Sequence, residues 1–127
     1  MIAFNGAFSG FSVDDVPAAH RFYGDVLGLD ATVGDMGILD ITLPGGAHAI
    51  AYPKDDHAPA TFTILNLEVD DIDVAVDALN AAGVVTKIYT DPDFGTDDRG
   101  IARGNGGPDI AWFRDPAGNV LSVIVPT

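Results

Sequence analysis

Cysteine is absent from the 127-residue sequence. A chain without cysteine forms no disulfide, holds no metal ion through thiolates and carries no cysteine nucleophile. Any metal site or catalytic nucleophile must therefore be built from other side chains.

Basic residues are scarce: six Lys and Arg stand against 19 Asp and Glu, for a formal net charge of −13 at pH 7. Binding to a nucleic acid backbone needs clustered Lys and Arg that displace counterions from the phosphates. We therefore predict that nucleic acid is not a partner. The acidic excess either serves solubility alone or favours a cationic ligand, and net charge does not separate the two.

Long apolar runs are also missing, since no stretch approaches the ~18 consecutive apolar residues of a membrane-spanning helix. The first ten residues, MIAFNGAFSG, show no basic segment ahead of a long apolar run, so no secretory signal is readable. These absences predict a soluble, cytoplasmic protein that does not bind membranes. The apolar fraction of 47% suffices for one packed core, and we predict a single domain over residues 1–127.

What the sequence does contain is an internal repeat. Residues 8–29 and residues 64–85 align without a gap, and Val-Asp-Asp occurs in both, at 13–15 and at 69–71. In each copy the residues before this motif alternate as in a half-buried strand, and apolar residues at helical spacing follow it. Each copy is therefore predicted to be a strand followed by a helix.

The predicted helices have clear start and stop signals. Asp15 and Asp71 can cap the first-turn amides, while Gly28 and Gly83 suit the left-handed position at which a helix ends. Three strand candidates follow each helix, so each half is predicted to have the order βαβββ. The candidates are Asp30 to Val33, Ile38 to Leu43 and Ala47 to Tyr52 in the first half, and Thr86 to Thr90, Ile110 to Arg114 and Asn119 to Val125 in the second.

The boundary between the halves is predicted from composition. The segment from about 53 to 61 is rich in Pro, Asp and Ala and is interpreted as a linker. Module one then spans about 4–53 and module two about 62–126.

This organisation resembles the vicinal oxygen chelate superfamily, the glyoxalase, bleomycin-resistance protein and extradiol dioxygenase group. The resemblance is carried by VDDVPAAHRFYGDVLGL at 13–29, VDDID at 69–73 and WFRDPAGNVLSV at 112–123. It implies an α+β fold in which two tandem βαβββ modules form an incomplete barrel with a concave ligand cleft. It also implies a homodimer.

Metal-using members of the superfamily place ligands on the first and last strands of each module. Aligned on the repeated motif, these positions fall on Phe8, Ile64 and Ser122, and the fourth lies near Ala49 to Ala51, where the nearest donor is His48. Phenyl and aliphatic side chains bind no metal, and a hydroxyl is a poor ligand for these ions. We therefore expect no metal and no other cofactor.

The three histidines do not form a zinc-type cluster. His48 is expected to be a half-buried strand residue whose ring is bonded to a neighbour. His20 is expected to be exposed on the first helix, and His57 to be solvated in the linker. No residue is assigned a catalytic role, since the sequence also lacks the G-x-S-x-G motif of serine hydrolases.

The residues that strand alternation places on the concave face are mostly apolar, with a few polar groups, which suits a small organic ligand. Aromatic rings among them could stack on a planar ligand, although ordinary core packing explains such rings equally well. The predicted ligand-binding residues are Phe8, Ser12, His48, Tyr52, Ile64, Asn66, Glu68, Phe94, Arg103, Trp112 and Ser122.

The segment 91–108 is the least regular by composition. A loop of this length is usually functional or disordered. We expect a lid over the cleft, with Arg99 or Arg103 available to an anionic or carbonyl group; a hairpin without a role is the alternative.

The sequence as a whole favours a metal-independent protein that binds a small organic molecule, cationic or aromatic in character, and sequesters a drug or metabolite. One alternative is a metal-dependent glyoxalase-like lyase or isomerase, or a dioxygenase, in which His48 converges with carboxylates such as Glu68 or Asp40. A second alternative is an accessory interaction module without a small ligand. The absence of metal donors favours binding over catalysis.

Overall fold

The computed structural model describes residues 1–104 and 107–127. The chain divides into two compact units, Met1–Pro59 and Ala60–Thr127, and this division lies within the segment predicted to link the two modules. Within residues 1–104 and 107–127, no helix combines the length and apolar character that a membrane crossing requires.

The first unit has the predicted order βαβββ. The elements are β1 (Ser9–Val13), helix α1 (Val16–His20), which continues as a π-helical segment (Arg21–Val26), β2 (Asp30–Val33), β3 (Leu39–Thr42) and β4 (His48–Pro53). The four strands form one sheet in the order β1-β4-β3-β2, with β1 parallel to β4 and the other neighbours antiparallel.

Helix α1 begins as predicted. The Asp15 carboxylate accepts a hydrogen bond of 2.9 Å from the backbone N–H of Ala18, and Pro17 occupies a first-turn position that needs no donor. The buried side chains of α1 and its π-helical continuation form the core-facing stripe; they are Val16, Ala19, Phe22 and Tyr23.

The sheet of the first unit has one buried face. Five residues of this face are at most 2% exposed and alternate along β1, β3 and β4 with those of the opposite face; they are Val13, Leu39, Ile41, Ala49 and Ala51. The opposite face carries Gly10, Ser12, Asp40, His48, Ile50 and Tyr52. The predicted alternation of β1 therefore holds in the structure.

The second unit repeats the order βαβββ. Its elements are β5 (Thr63–Glu68), helix α2 (Ile72–Ala81), β6 (Ile101–Arg103), β7 (Asp109–Arg114) and β8 (Val120–Val125). The strands form a sheet in the order β5-β8-β7-β6, with β5 parallel to β8. The Asp71 carboxylate accepts hydrogen bonds from the N–H groups of Asp73 (3.0 Å) and Val74 (3.2 Å), as its predicted role at the start of α2 requires.

The predicted strand from Thr86 to Thr90 is wrong, because within the described part of the chain these residues join no ladder and Ile101–Arg103 pairs with β7 instead. Side chains hold the segment in place. The Thr86 hydroxyl donates to the carbonyl of Arg99 (2.7 Å), and the Lys87 ammonium donates to the Thr96 hydroxyl (2.6 Å). The β-branched and aromatic residues that suggest a strand here belong to a connecting segment that lies beside the chain leading into β6.

The α+β class and the two βαβββ modules are confirmed. Each four-stranded sheet retains two edge strands, so neither closes into a barrel. The single domain over 1–127 remains a prediction.

Candidate functional site

A pocket of about 460 Å³ opens on the face of the first sheet that carries Asp40, His48 and Ile50, opposite the buried face. This volume lies within the range of about 300–1,000 Å³ that small-molecule sites occupy. The lining residues come from the chain before β1, the β2–β3 turn, β3 and β4; they are Phe8, Gly34, Asp35, Met36, Ile38, Asp40, His48 and Ile50. Two of the predicted site residues, Phe8 and His48, are thus brought together.

The turn between β2 and β3 forms one wall of the pocket. Its backbone is fixed by hydrogen bonds of 3.0 Å from the N–H of Gly34 to the carbonyl of Ile38 and from the N–H of Gly37 to the carbonyl of Gly34. Gly37 has a φ of 75°, a value that glycine adopts without strain. The turn therefore holds Asp35 and Met36 at the pocket, and sequence reasoning missed both.

The apolar walls owe their shape partly to Gly10. A β-carbon at this position would lie 3.2 Å from Cγ1 of Ile50, so the missing side chain lets Ile50 pack close to β1. Phe8 precedes β1 and is 69% exposed. An exposed phenyl ring beside an apolar wall is available to a ligand.

Asp40 and His48 are polar lining residues of the pocket, and their side chains contact each other. The Nδ1 atom of His48 lies 3.1 Å from Oδ1 of Asp40, and the two side chains are 50% and 51% exposed. His48 is thus a strand residue bonded to a neighbour, as predicted, but it is exposed and not half-buried. Asp40 and His48 lie diagonally across the β3–β4 ladder, where Asp40 pairs with Ile50 and Thr42 pairs with His48.

The predicted site residues Ser12 and Tyr52 lie on the same face, outside the pocket lining. The Ser12 hydroxyl and Nδ1 of His57 share a hydrogen bond of 2.6 Å. The expectation that His57 is a solvated linker residue is therefore wrong, because Ser12 on β1 holds its ring in a partly buried position.

In the second unit the predicted residues Asn66, Trp112 and Ser122 form a row across β5, β8 and β7. The Ser122 hydroxyl donates to Oδ1 of Asn66 at 2.6 Å and is fully buried. Ile64 lies at a register shift in β5, and Glu68 ends that strand with an exposed side chain. None of these five residues lines the pocket of the first unit.

Three aromatic rings cluster at Trp112. The ring centroids of Tyr89 and Phe94 are 4.2 Å apart, and Trp112 lies 5.4 Å from Tyr89 and 5.0 Å from Phe94 in edge-to-face contacts. Phe94 is held by a 3₁₀ turn, Pro92–Phe94, capped by Asp91. Sequence reasoning missed Tyr89 because its segment reads as a strand; its aromatic ring was the available signal.

Ion pairs connect helix α2 to the loop that precedes β6, through Arg99, and to the end of β6, through Arg103. Asp73 accepts from Arg99 (2.9 Å) and from Arg103 (2.6 Å), and Asp77 also accepts from Arg99. The Arg103 hydrogen bond, and then Arg99, lower the pKa of Asp73, and Asp73 in turn raises the pKa of Arg103.

These ion pairs bear on the predicted lid over 91–108. The sequence predicts that Arg103 contacts the ligand, whereas the structure places its guanidinium on α2. Arg99 is likewise engaged by acids of that helix. Residues 105 and 106, within the predicted lid, lie outside the described residues.

A metal ion does not fit the side chains at the positions that metal-using relatives employ. Phe8 and Ile64 offer no donor atom, and the Ser122 hydroxyl is engaged by Asn66. Over residues 1–104 and 107–127, no three His, Cys, Asp or Glu side chains come together in a way that could hold an ion. Asp40 and His48 are only two donors, whereas catalytic zinc sites use three.

The sequence and fold are similar to those of known proteins. The family model of the Glyoxalase/Bleomycin resistance protein/Dioxygenase superfamily matches residues 8–123. A comparison with curated proteins finds no match.

Several crystal structures share the fold. TnmS3, an antibiotic-binding protein from Streptomyces sp. CB03234, is 22% identical with a TM-score of 0.70, over 99% of this chain and 100% of that one. FosX, a fosfomycin resistance protein from Listeria monocytogenes, is 12% identical with a TM-score of 0.73, over 99% and 96%. A superfamily member from Sphaerobacter thermophilus is 20% identical with a TM-score of 0.70, over 95% and 98%.

Proposed function

The chain belongs to the Glyoxalase/Bleomycin resistance protein/Dioxygenase superfamily, and on this premise we propose that it binds a small organic molecule without the help of a metal ion. The role that this binding serves is sequestration of a drug or metabolite. The ligand is aromatic or otherwise apolar in its body, and the acidic composition favours a positive charge on it.

The observation that carries the proposal is the pocket of the first unit. Its volume of about 460 Å³ suits a drug-sized molecule, and its walls are formed chiefly by Phe8, Met36, Ile38 and Ile50. Apolar walls with a few polar groups are typical of small-molecule sites, because apolar burial supplies affinity and the polar groups fix orientation.

The donor set supports binding in preference to metal-assisted catalysis. Polarising a substrate oxygen needs an ion held by several converging protein ligands. The superfamily positions for such ligands carry Phe8, Ile64 and Ser122, whose side chains supply an aromatic ring, an aliphatic group and a hydroxyl already bonded to Asn66.

Two proteins with this fold support the part of the proposal that concerns a small-molecule ligand. TnmS3 is described as an antibiotic-binding protein, and FosX as a fosfomycin resistance protein. Among the predicted ligand-binding residues, Phe8 and His48 lie at the pocket and are the ones we propose to contact the ligand. The homodimer and the cytoplasmic location stay predictions.

The proposal is tested by metal analysis of the purified protein followed by a thermal-shift screen of planar aromatic drugs with a chelator present. Ligands that bind the native state raise its unfolding temperature, so we expect stabilisation that persists with chelator. Phe8→Ala should remove this stabilisation, because Phe8 lines the pocket. Phe62→Ala is the matched control and should keep it, since the Phe62 ring is about as exposed (68%, against 69% for Phe8) but does not line the pocket. Stoichiometric divalent metal, or stabilisation that requires added metal, would contradict the proposal.

A further inference from the structure

Building on the proposed function, we infer that the pocket of the first unit recognises an organic cation through Asp40 and Asp35, and that His48 competes with this cation for Asp40. The inference names the class of ligand and gives the site a dependence on pH.

Among the described residues that line the pocket, every charged group is acidic or is His48. The turn contributes Asp35 and β3 contributes Asp40, whereas the lining residues of β4 and of the chain before β1 carry no formal charge other than on a protonated His48. A further acid near His48 is Asp30 on β2, which does not line the pocket. It lies in the same cross-strand row as His48, with Thr42 between them. Neither Lys nor Arg is among these lining residues, so the cation they can supply is the imidazolium of His48.

The geometry sets up the competition. His48 Nδ1 lies 3.1 Å from the Asp40 carboxylate, and both side chains are about half exposed. Histidine ordinarily changes charge between about pH 5 and 8, while carboxylates stay ionised above about pH 5. A neutral ring leaves the charge of Asp40 uncompensated, and a protonated ring pairs with it.

The consequence is a cation site whose strength depends on the charge of the His48 ring. With a neutral ring, the ligand's cationic nitrogen meets the charge of Asp40 and Asp35 over the apolar wall of Phe8 and Met36. A protonated ring cancels the charge of Asp40 and repels the ligand. Because the groups are partly solvated, the effect should be about fivefold in affinity, the upper range for an exposed pair.

The test uses two fluorescent probes with the same apolar body: (naphthalen-1-ylmethyl)trimethylammonium, whose charge does not vary with pH, and neutral naphthalen-1-ylmethanol. Dissociation constants are measured between pH 8 and pH 5. We expect the cation to bind about fivefold more tightly than the alcohol at pH 8 and to lose most of that preference at pH 5, with the alcohol unaffected.

Variants separate the two acting groups. Asp40→Asn should remove most of the preference for the cation at pH 8 and leave only the part that Asp35 supplies, whereas Asp14→Asn, an exposed acid outside the pocket, changes the net charge equally and should keep the full preference. His48→Asn should keep the preference at all pH values, and His20→Asn, whose ring is bonded to the Ala31 carbonyl, should leave the pH dependence intact.

The outcomes distinguish this inference from the proposed function. If both probes bind equally at every pH and Phe8→Ala weakens both, the inference is overturned and the proposed binding stands. If neither probe binds at millimolar concentration and the drug screen also yields no ligand, both are overturned.

Discussion

Gly100 approaches the backbone of Thr86 so closely that a β-carbon on Gly100 would lie 1.9 Å from the Thr86 carbonyl oxygen. The Thr86 hydroxyl donates to the carbonyl of Arg99, the residue beside Gly100. Gly100 also has a φ of 84°, in the left-handed region. Only glycine meets both requirements, and the contact holds the segment after α2 against the chain that enters β6.

Gly100→Ala should therefore be severely destabilising. The positive φ alone costs about 1–2 kcal/mol, and the clash with backbone, which cannot rotate away, should bring the total above ~3 kcal/mol. Gly83→Ala is the matched control, since Gly83 has a φ of 87° and no atom within 4 Å of the position that an added methyl group would take. Denaturant unfolding measures both; equal losses would show that the close approach to Thr86 has no energetic effect.

The ion pairs of Asp73 predict a dependence of stability on pH. Arg103 and Arg99 lower the folded-state pKa of Asp73, so its contribution is present at pH values above the unfolded carboxyl value, about 3.9, and is lost as the pH falls through the folded pKa. The difference in unfolding free energy between the wild type and Asp73→Asn should be greatest near neutral pH and should close below about pH 4. A difference that persists in acid would contradict the assignment.

The start of helix α2 gives a prediction about capping. Asp71 accepts from two first-turn amides, so Asp71→Ala should cost about 1 kcal/mol of stability. Asp70→Ala changes the adjacent acid and should stay within ~0.5 kcal/mol of the wild type. Thermal or denaturant unfolding of both variants checks this, and similar losses for the two would indicate a charge effect instead of a cap.

The aromatic cluster predicts a spectroscopic change. Trp112 is the single tryptophan of the sequence, and Phe94 packs against it with a centroid distance of 5.0 Å. Phe94→Ala should expose the indole to water and shift its emission to longer wavelength. Phe62→Ala, an exposed phenyl outside the cluster, should leave the emission unchanged. An unshifted spectrum for Phe94→Ala would mean that Phe94 does not shield Trp112 in solution.

Features that depend on near neighbours along the chain could be predicted from the amino-acid sequence. The Val-Asp-Asp repeat marked both strand-to-helix junctions, because a cap such as Asp71 satisfies amides only two and three residues away. Alternation placed Gly10 and Ser12 on one face and Val13 on the other, since strand geometry fixes that relation locally.

Contacts between distant residues required the folded chain. The segment after α2 looks like a strand, but Ile101–Arg103 takes the place beside β7 because the contacts of Thr86 and Gly100 position that later chain. No local pattern joins Arg103 to Asp73, which precedes it by 30 residues. The pocket likewise needs the β3–β4 register to bring Asp40 to His48, and register is a property of pairing between strands, which no single segment encodes.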